Sequence, residues 1–267
     1  MLKPRRNRLM LIDSHCHLDY FSDEERPDVI ARAKAAGVAQ MVTIGVTLSQ
    51  SKQAIAMAEA DPDVWACVGV HPNHAADEGE VPTPAVIAAL TNHPKVIGIG
   101  ESGLDYFYDK APKDVQERNF RAHIRAAQIT QLPLAIHARD ADNDIARMLA
   151  EERAAGGDFA FLLHCFSSGR ALAEAAVEMG GYISFSGILT FPKGQEIRDI
   201  AATVPLERLL VETDSPYLAP VPFRGKRNEP AHTVHTAKIL ADVKGMTPAA
   251  LAALTTANFR KLYSKAA

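Results

Sequence analysis

A chain of 267 residues with 47% hydrophobic and 23% charged residues is neither disordered nor fibrous. Its 29 Lys and Arg against 32 Asp and Glu leave a net charge of −3, which argues against a protein that grips nucleic acid through a broad basic face. Three cysteines (Cys16, Cys67 and Cys165) without CxxC spacing fit a reducing compartment better than a disulfide framework.

Residues 1–9 carry basic charge without periodicity and read as a short tail, followed by one domain over residues 10–267. No signal-peptide core or membrane-length apolar run is legible, so the expectation is a soluble, cytoplasmic protein with no membrane partner. Eight short apolar runs then follow in chain order: MLID from Met10, MVTIGV from Met41, WACVGV from Trp65, VIGIG from Val96, LPLAI from Leu132, FAFLL from Phe159, YISFSG from Tyr182 and LLVE from Leu209. Ala-rich segments of helical period separate most of them, at 31–37, 51–60, 115–130, 144–156, 170–180 and 196–204, with Gly37, Gly156 and Gly180 as candidate left-handed stops. A last amphipathic stretch runs from Pro248 to Tyr263. Strands alternating with helices imply parallel βαβ units. Eight such units and no linker composition point to an α/β protein, a single-domain (β/α)8 TIM barrel; a doubly wound open sheet is the competing architecture.

In such a barrel, chemistry sits at the C-terminal ends of the strands. Here those ends carry His15 and His17, His71, Glu101, His137 with Arg139, His164, and Glu212 with Asp214. An HxH pair alone is weak, since ten histidines in 267 residues produce such spacings by chance. Alternation nevertheless puts His15 and His17 on one face and Cys16 on the other, as a shared metal requires. Histidines scattered through a core would have no reason to gather at one rim.

Two motifs mislead. Gly98 to Gly103 spells GxGxxG, but no helix opens at its glycines and no acidic partner follows at a strand end, so no nucleotide cofactor is expected. Ser167-Ser168-Gly169 lacks the GxSxG pattern and is read as a helix cap. The three cysteines are read as packing residues, with Cys165 turned away from the face of His164. His74, His93, His123, His232 and His235 are read as surface residues.

Histidines and carboxylates without thiolate suit Mg, Mn, Zn or Co. Six or more donors around a central carboxylate suggest two divalent ions, bridged by Glu101 about 3.5 to 4 Å apart, that activate water for an in-line displacement at phosphorus. The series SHCHL, GVHP, GESGLDY, IHARD, HCFSSG, ETDSPYL and RGKRNEP resembles the TatD family of metal-dependent deoxyribonucleases within the amidohydrolase-like barrels, from about Met10 to Tyr263. Each motif is moderately specific, and the ordered set strongly so; the doubled serine at Ser168 and Ser102 depart from the pattern only at non-ligand positions.

The resemblance implies that His15, His17 and Asp214 hold one metal, His137 and His164 the other, with Glu101 shared. It makes Asp214 the proton acceptor and places His71 and Arg139 on a substrate phosphate. Glu212 is either a ligand for a third ion or, the favoured reading, a carboxylate supporting a ligand from behind. Arg224, Lys226 and Arg227 form the cationic cluster nearest the rim and are candidates for backbone phosphate contact, against the alternative of a solvated loop.

The resulting expectation is a metal-dependent hydrolase of DNA, a 3′-5′ exonuclease by the resemblance, acting as a monomer on single strands or 3′ ends. The alternatives are a barrel hydrolase of an ester or amide (a deaminase, lactonase, cyclic amidase or D-aminoacyl-tRNA deacylase) and a metal-binding scaffold without catalysis. Relatives of the first kind often bridge their metals with a lysine where this chain has Glu101. No base-stacking platform is legible among 6% aromatic residues; Tyr106, Phe107 and Tyr108 are candidates, with packing roles at least as good.

Overall fold

Strand β1 (Leu11–Cys16) is buried at every position, as a strand covered on both faces must be. It opens a computed structural model that describes residues 10–77, 79–108 and 110–266; the expected basic tail at 1–9 lies outside them. Seven further strands follow: β2 (Val38–Ile44), β3 (Val64–Val68), β4 (Val96–Asp105), β5 (Leu134–Arg139), β6 (Phe161–Leu163), β7 (Tyr182–Phe185) and β8 (Leu209–Val211). The helices are α1 (Arg26–Ala36), α2 (Leu48–Ala60), α3 (Pro84–Leu90), α4 (Lys113–Thr130), α5 (Asp142–Gly156), α6 (Arg170–Glu178), α7 (Gln195–Thr203), α8 (Thr233–Val243) and α9 (Pro248–Leu262). The strands pair in parallel in sequence order from β1 to β8. An isolated bridge between Cys16 and Ser215 joins the two ends, so the open-sheet alternative falls and the barrel is nearly closed. This seam carries site residues: Asp214 N donates to His15 O at 2.9 Å and His17 N to Ser215 O at 2.8 Å.

Two apolar layers follow from strand alternation. Side chains such as Leu11, Met41, Val68, Ile99 and Leu163 meet the helices in an outer core. Ile12, Val42, Ile44, Ile97, Leu162 and Leu210 fill the interior, where Phe259 and Tyr263 from the end of α9 join them. Those rings plug the barrel from the side opposite the chemistry, and close packing accounts for the glycines of the GxGxxG series. A Cβ at Gly98 would lie 2.7 Å from Cys67 Sγ and 2.8 Å from the Tyr263 ring, and one at Gly103 would overlap His137 O. Gly98 lets the strand pack on the plug, while Gly100 and Gly103 let it approach the β5 backbone at Ala135 and His137.

Several local expectations need correction. β4 does not end at Glu101 but continues to Asp105, so the segment LDY is partly strand. After α5 the positive-φ glycine is Gly157 (φ 90°, ψ −177°), an extended rather than left-handed helical stop, and not Gly156, which is the last residue of the helix. Helix α3 escaped notice because it is only seven residues long; Thr83, whose side chain accepts from Val86 N, and Pro84 start it. His123 is not on the surface. It is fully buried on α4, donates from Nδ1 to Asn119 O (2.8 Å) and accepts Val70 N at Nε2 (2.9 Å). With Asn119 Nδ2 donating to Val70 O (2.8 Å), α4 satisfies both backbone groups of the residue that precedes His71.

Candidate metal centre

The ends of the strands converge on a cavity of about 1140 Å³ at the C-terminal mouth of the barrel. Glu101, nearly fully buried, stands at its floor with its two oxygens facing different groups. Oε2 lies 3.3 Å from His15 Nε2 and 3.9 Å from His17 Nε2. Oε1 lies 2.7 Å from His164 Nε2, 3.0 Å from His137 Nδ1 and 3.3 Å from His71 Nε2. Asp214 Oδ1 completes the first side, 3.4 Å from His17 Nε2 and 3.8 Å from His15 Nε2. The rings of His15 and His164 stack with centroids 3.8 Å apart, which brings the two sides together.

The donor set fits divalent cations on its own chemistry. His15 Nε2 and His164 Nε2 are buried and lie close to Glu101 oxygens, yet neither makes an aligned hydrogen bond, and His15 Nδ1 and His17 Nδ1 are also without partners. Buried polar nitrogens left this way cost stability unless something else binds them. Among the described residues, three overlapping groups place their donor atoms within 4.8 Å of one another: His15, Glu101 and His164; His15, His17 and Asp214; and His71, Glu101 and His137.

Carboxylates hold several of these histidines from behind, as outer partners of metal ligands do. Asp105 Oδ2 sits 3.1 Å from His137 Nε2, which turns Nδ1 toward Glu101. Glu212, fully buried, places Oε1 3.3 Å from His164 Nδ1 and accepts Cys165 N at 2.7 Å. Asp13 accepts Thr213 N at 2.9 Å and the Thr213 hydroxyl at 2.5 Å, fixing the turn that carries Asp214. Burial pushes the Asp13 carboxyl up to about 8. Burial also raises Glu101 and Asp214, but the surrounding histidines more than reverse it, holding Glu101 well below the usual range and Asp214 below its ordinary value. The centre therefore presents anionic carboxylates at neutral pH. His71 is lowered too, to about 4, chiefly by burial, which keeps its ring neutral.

A family model described as TatD related DNase matches residues 12–264. The chain belongs to the TatD family. It is 40% identical over 257 residues to the uncharacterized metal-dependent hydrolase YabD of Bacillus subtilis, covering 95% of this chain and 99% of that one. It is 37% identical over 247 residues to the 3′-5′ ssDNA/RNA exonuclease TatD of Salmonella typhimurium, covering 90% and 93%. The fold matches the crystal structure of YJJV, a TatD homolog from Escherichia coli, with a TM-score of 0.87, 25% identity and coverage of 97% and 99%. This TatD-family chain is a metal-dependent hydrolase.

Of the residues expected at the site, the fold brings His15, His17, His71, Glu101, His137, His164 and Asp214 together. His71 joins the Glu101 Oε1 side at the same distance as a ligand, beyond the phosphate role expected of it. Arg139 lines the cavity wall. Arg224, Lys226 and Arg227 do not line it. Arg224 lies 3.5 Å over the Phe191 ring, and Arg227 pairs with Glu25, donates to Tyr20 O and covers Phe21. Their loop acts as scaffold instead: buried Asn228 donates to Thr213 O (3.0 Å) and Tyr217 O (2.6 Å), bracing the Asp214 turn.

Cys165 also departs from expectation. It lies past the end of β6 with φ 43°, so strand alternation no longer applies; it lines the cavity, with Sγ 3.2 Å from Ser186 Oγ. Nor do Ser167 and Ser168 cap α6, whose N-cap is Gly169 without a side-chain bond; all three line the cavity. Sequence reading missed Asp105 and Asp13. The Asp in GESGLDY was the available signal for the first, hidden by ending the strand too early.

Proposed function

We propose that this hydrolase cleaves phosphodiester bonds of DNA, removing nucleotides from a 3′ end, as a monomer in the cytoplasm. The observation that carries the reading is the division of Glu101 between two donor groups in one open cavity, which suits two divalent ions. His15, His17 and Asp214 would hold one; His137 and His164, with His71 beside them, the other; Mg, Mn, Zn and Co all suit these donors. Such a pair, when bound, lowers the pKa of water and stabilises the charge of an in-line displacement at phosphorus.

The chain's own residues do the rest. Asp214, held as an anion, receives the proton of the attacking water at its carboxylate. Asp105 and Glu212 keep His137 and His164 turned toward Glu101, so that the donors are in place before substrate arrives. Arg139 offers a guanidinium to a substrate phosphate: among the described residues it has no carboxylate partner, and its only polar contact is 3.5 Å to Tyr108 Oη. The name of the Salmonella relative supports the polarity and the nucleic-acid class.

The test uses protein stripped with EDTA and reloaded with Mg, Mn, Zn or Co, acting on 3′- and 5′-labelled single- and double-stranded oligonucleotides beside an ester and an amide. A shortening ladder from the 5′ label and immediate mononucleotide release from the 3′ label are expected. Ester or amide turnover without DNA cleavage under every metal would replace this reading with that of an amidohydrolase-type enzyme.

A further inference from the structure

Among the described residues four aromatic rings are exposed, Tyr20 at 45%, Tyr217 at 48%, Phe107 at 55% and Tyr108 at 51%; Tyr20, Tyr108 and Tyr217 line the cavity, and Phe107 packs on Tyr108 beside it. They form two pairs. Tyr20 and Tyr217 meet edge to face at 5.6 Å, and each ring also contacts His17, at 5.9 and 6.3 Å. Phe107 and Tyr108 meet at 5.0 Å, with the Arg139 guanidinium 4.1 and 4.8 Å from their ring centres. His17 belongs to the Asp214 side of Glu101, whereas Arg139 follows His137 on β5 on the other side. The pairs therefore flank the centre.

Both are built into the centre's own scaffold. Asp105, which holds His137 through Oδ2, accepts Phe107 N and Tyr108 N through Oδ1, each at 3.0 Å. Tyr217 N donates to Asp214 O at 3.0 Å, and Asn228 secures Tyr217 O. Rings fixed at set positions beside a phosphate site, one pair backed by a cation, are surfaces on which a nucleobase stacks at small entropic cost. A base in a duplex already has both faces covered by its neighbours.

We propose that Tyr20 with Tyr217, and Phe107 with Tyr108, are two base-stacking subsites, one on each side of Glu101, that hold unpaired bases on either side of the phosphate being cut. The inference rests on the nuclease reading and adds what that reading lacks: how a strand is held, and why single strands rather than duplexes fit. Stacking uses the face common to all bases, so little sequence preference follows.

The test measures kcat and KM of metal-loaded wild type, Phe107→Ala/Tyr108→Ala, Tyr20→Ala/Tyr217→Ala and Tyr20→Phe/Tyr217→Phe on a single-stranded DNA oligonucleotide. Each is also assayed on the same strand with its two 3′-terminal bases removed to abasic sugars. Each alanine pair is expected to raise KM by about 5- to 150-fold per stacked base with a smaller change in kcat, and the phenylalanine pair to keep the wild-type KM. Wild type should lose about the product of the two alanine penalties on the abasic strand, and each alanine variant only the factor of its remaining subsite, because each ring pair and its base contribute through one contact. Metal content and melting temperature at wild-type values confirm that the variants fold. KM within twofold of wild type for both alanine pairs, or abasic and alanine penalties that multiply in full, overturns the subsites while leaving the nuclease reading intact. Wild-type protein that cuts no oligonucleotide with any metal overturns the nuclease reading and the subsites with it.

Discussion

Replacing His123 with glutamine should change how stability depends on pH, and the structure sets the size of the effect. His123 is fully buried, and its Nε2 accepts the Val70 amide, so the ring must be neutral with its proton on Nδ1. Burial lowers its pKa from 6.5 to about 4. Between those values the unfolded chain binds a proton that the folded chain does not, so this contribution is complete above pH 6.5 and is lost as pH falls toward 4. At roughly 1.36 kcal/mol per pH unit the loss is about 3.4 kcal/mol. At pH 7 the glutamine variant should be less stable by about 1–3 kcal/mol, the cost of disturbing two hydrogen bonds around a buried amide. Urea unfolding followed by circular dichroism at pH 7, 6, 5 and 4, in EDTA, measures both proteins. The metal-centre histidines titrate in both and cancel in the difference. The gap should close steadily below pH 6.5 and vanish or reverse near pH 4. A gap that is the same at pH 7 and pH 4 would refute the assignment of a neutral, unprotonatable His123.

The centre makes three further predictions. Glu101→Ala removes the one carboxylate among the described residues that faces both donor groups, and elemental analysis should find fewer than the wild-type number of ions per chain along with lost turnover; an unchanged metal count counts against the shared role. Asp214→Asn should fold and keep much of its metal while kcat falls by about 10²- to 10⁴-fold, so near-full activity in a metal-replete assay excludes Asp214 as proton acceptor. Glu212→Gln leaves the cavity lining intact but weakens the hold on His164 Nδ1, and competition with a chelator should show metal affinity reduced by about 10- to 100-fold; wild-type affinity would leave Glu212 with only its backbone contact to Cys165.

The amino-acid sequence alone determined the architecture and the inner ring of donors. Strand and helix periods depend on local geometry, so runs such as MVTIGV and RALAEAAVEMG announce themselves, and a parallel barrel has one rim at which His15, Glu101 and His164 can meet. Tertiary structure decided the rest, because what a polar side chain does depends on partners far away in the chain. Asp13 finds Thr213 200 residues on. His123, one polar residue on an amphipathic helix, looks like a surface group until α4 docks against the end of β3 and Val70 supplies its donor. Arg227 sits in a cationic run that suggests phosphate, yet Glu25 and the Tyr20 carbonyl are nearer than the cavity and turn it into a brace. Tyr20 and Tyr217 lie 197 positions apart in sequence and become one surface only when the barrel closes between β1 and β8.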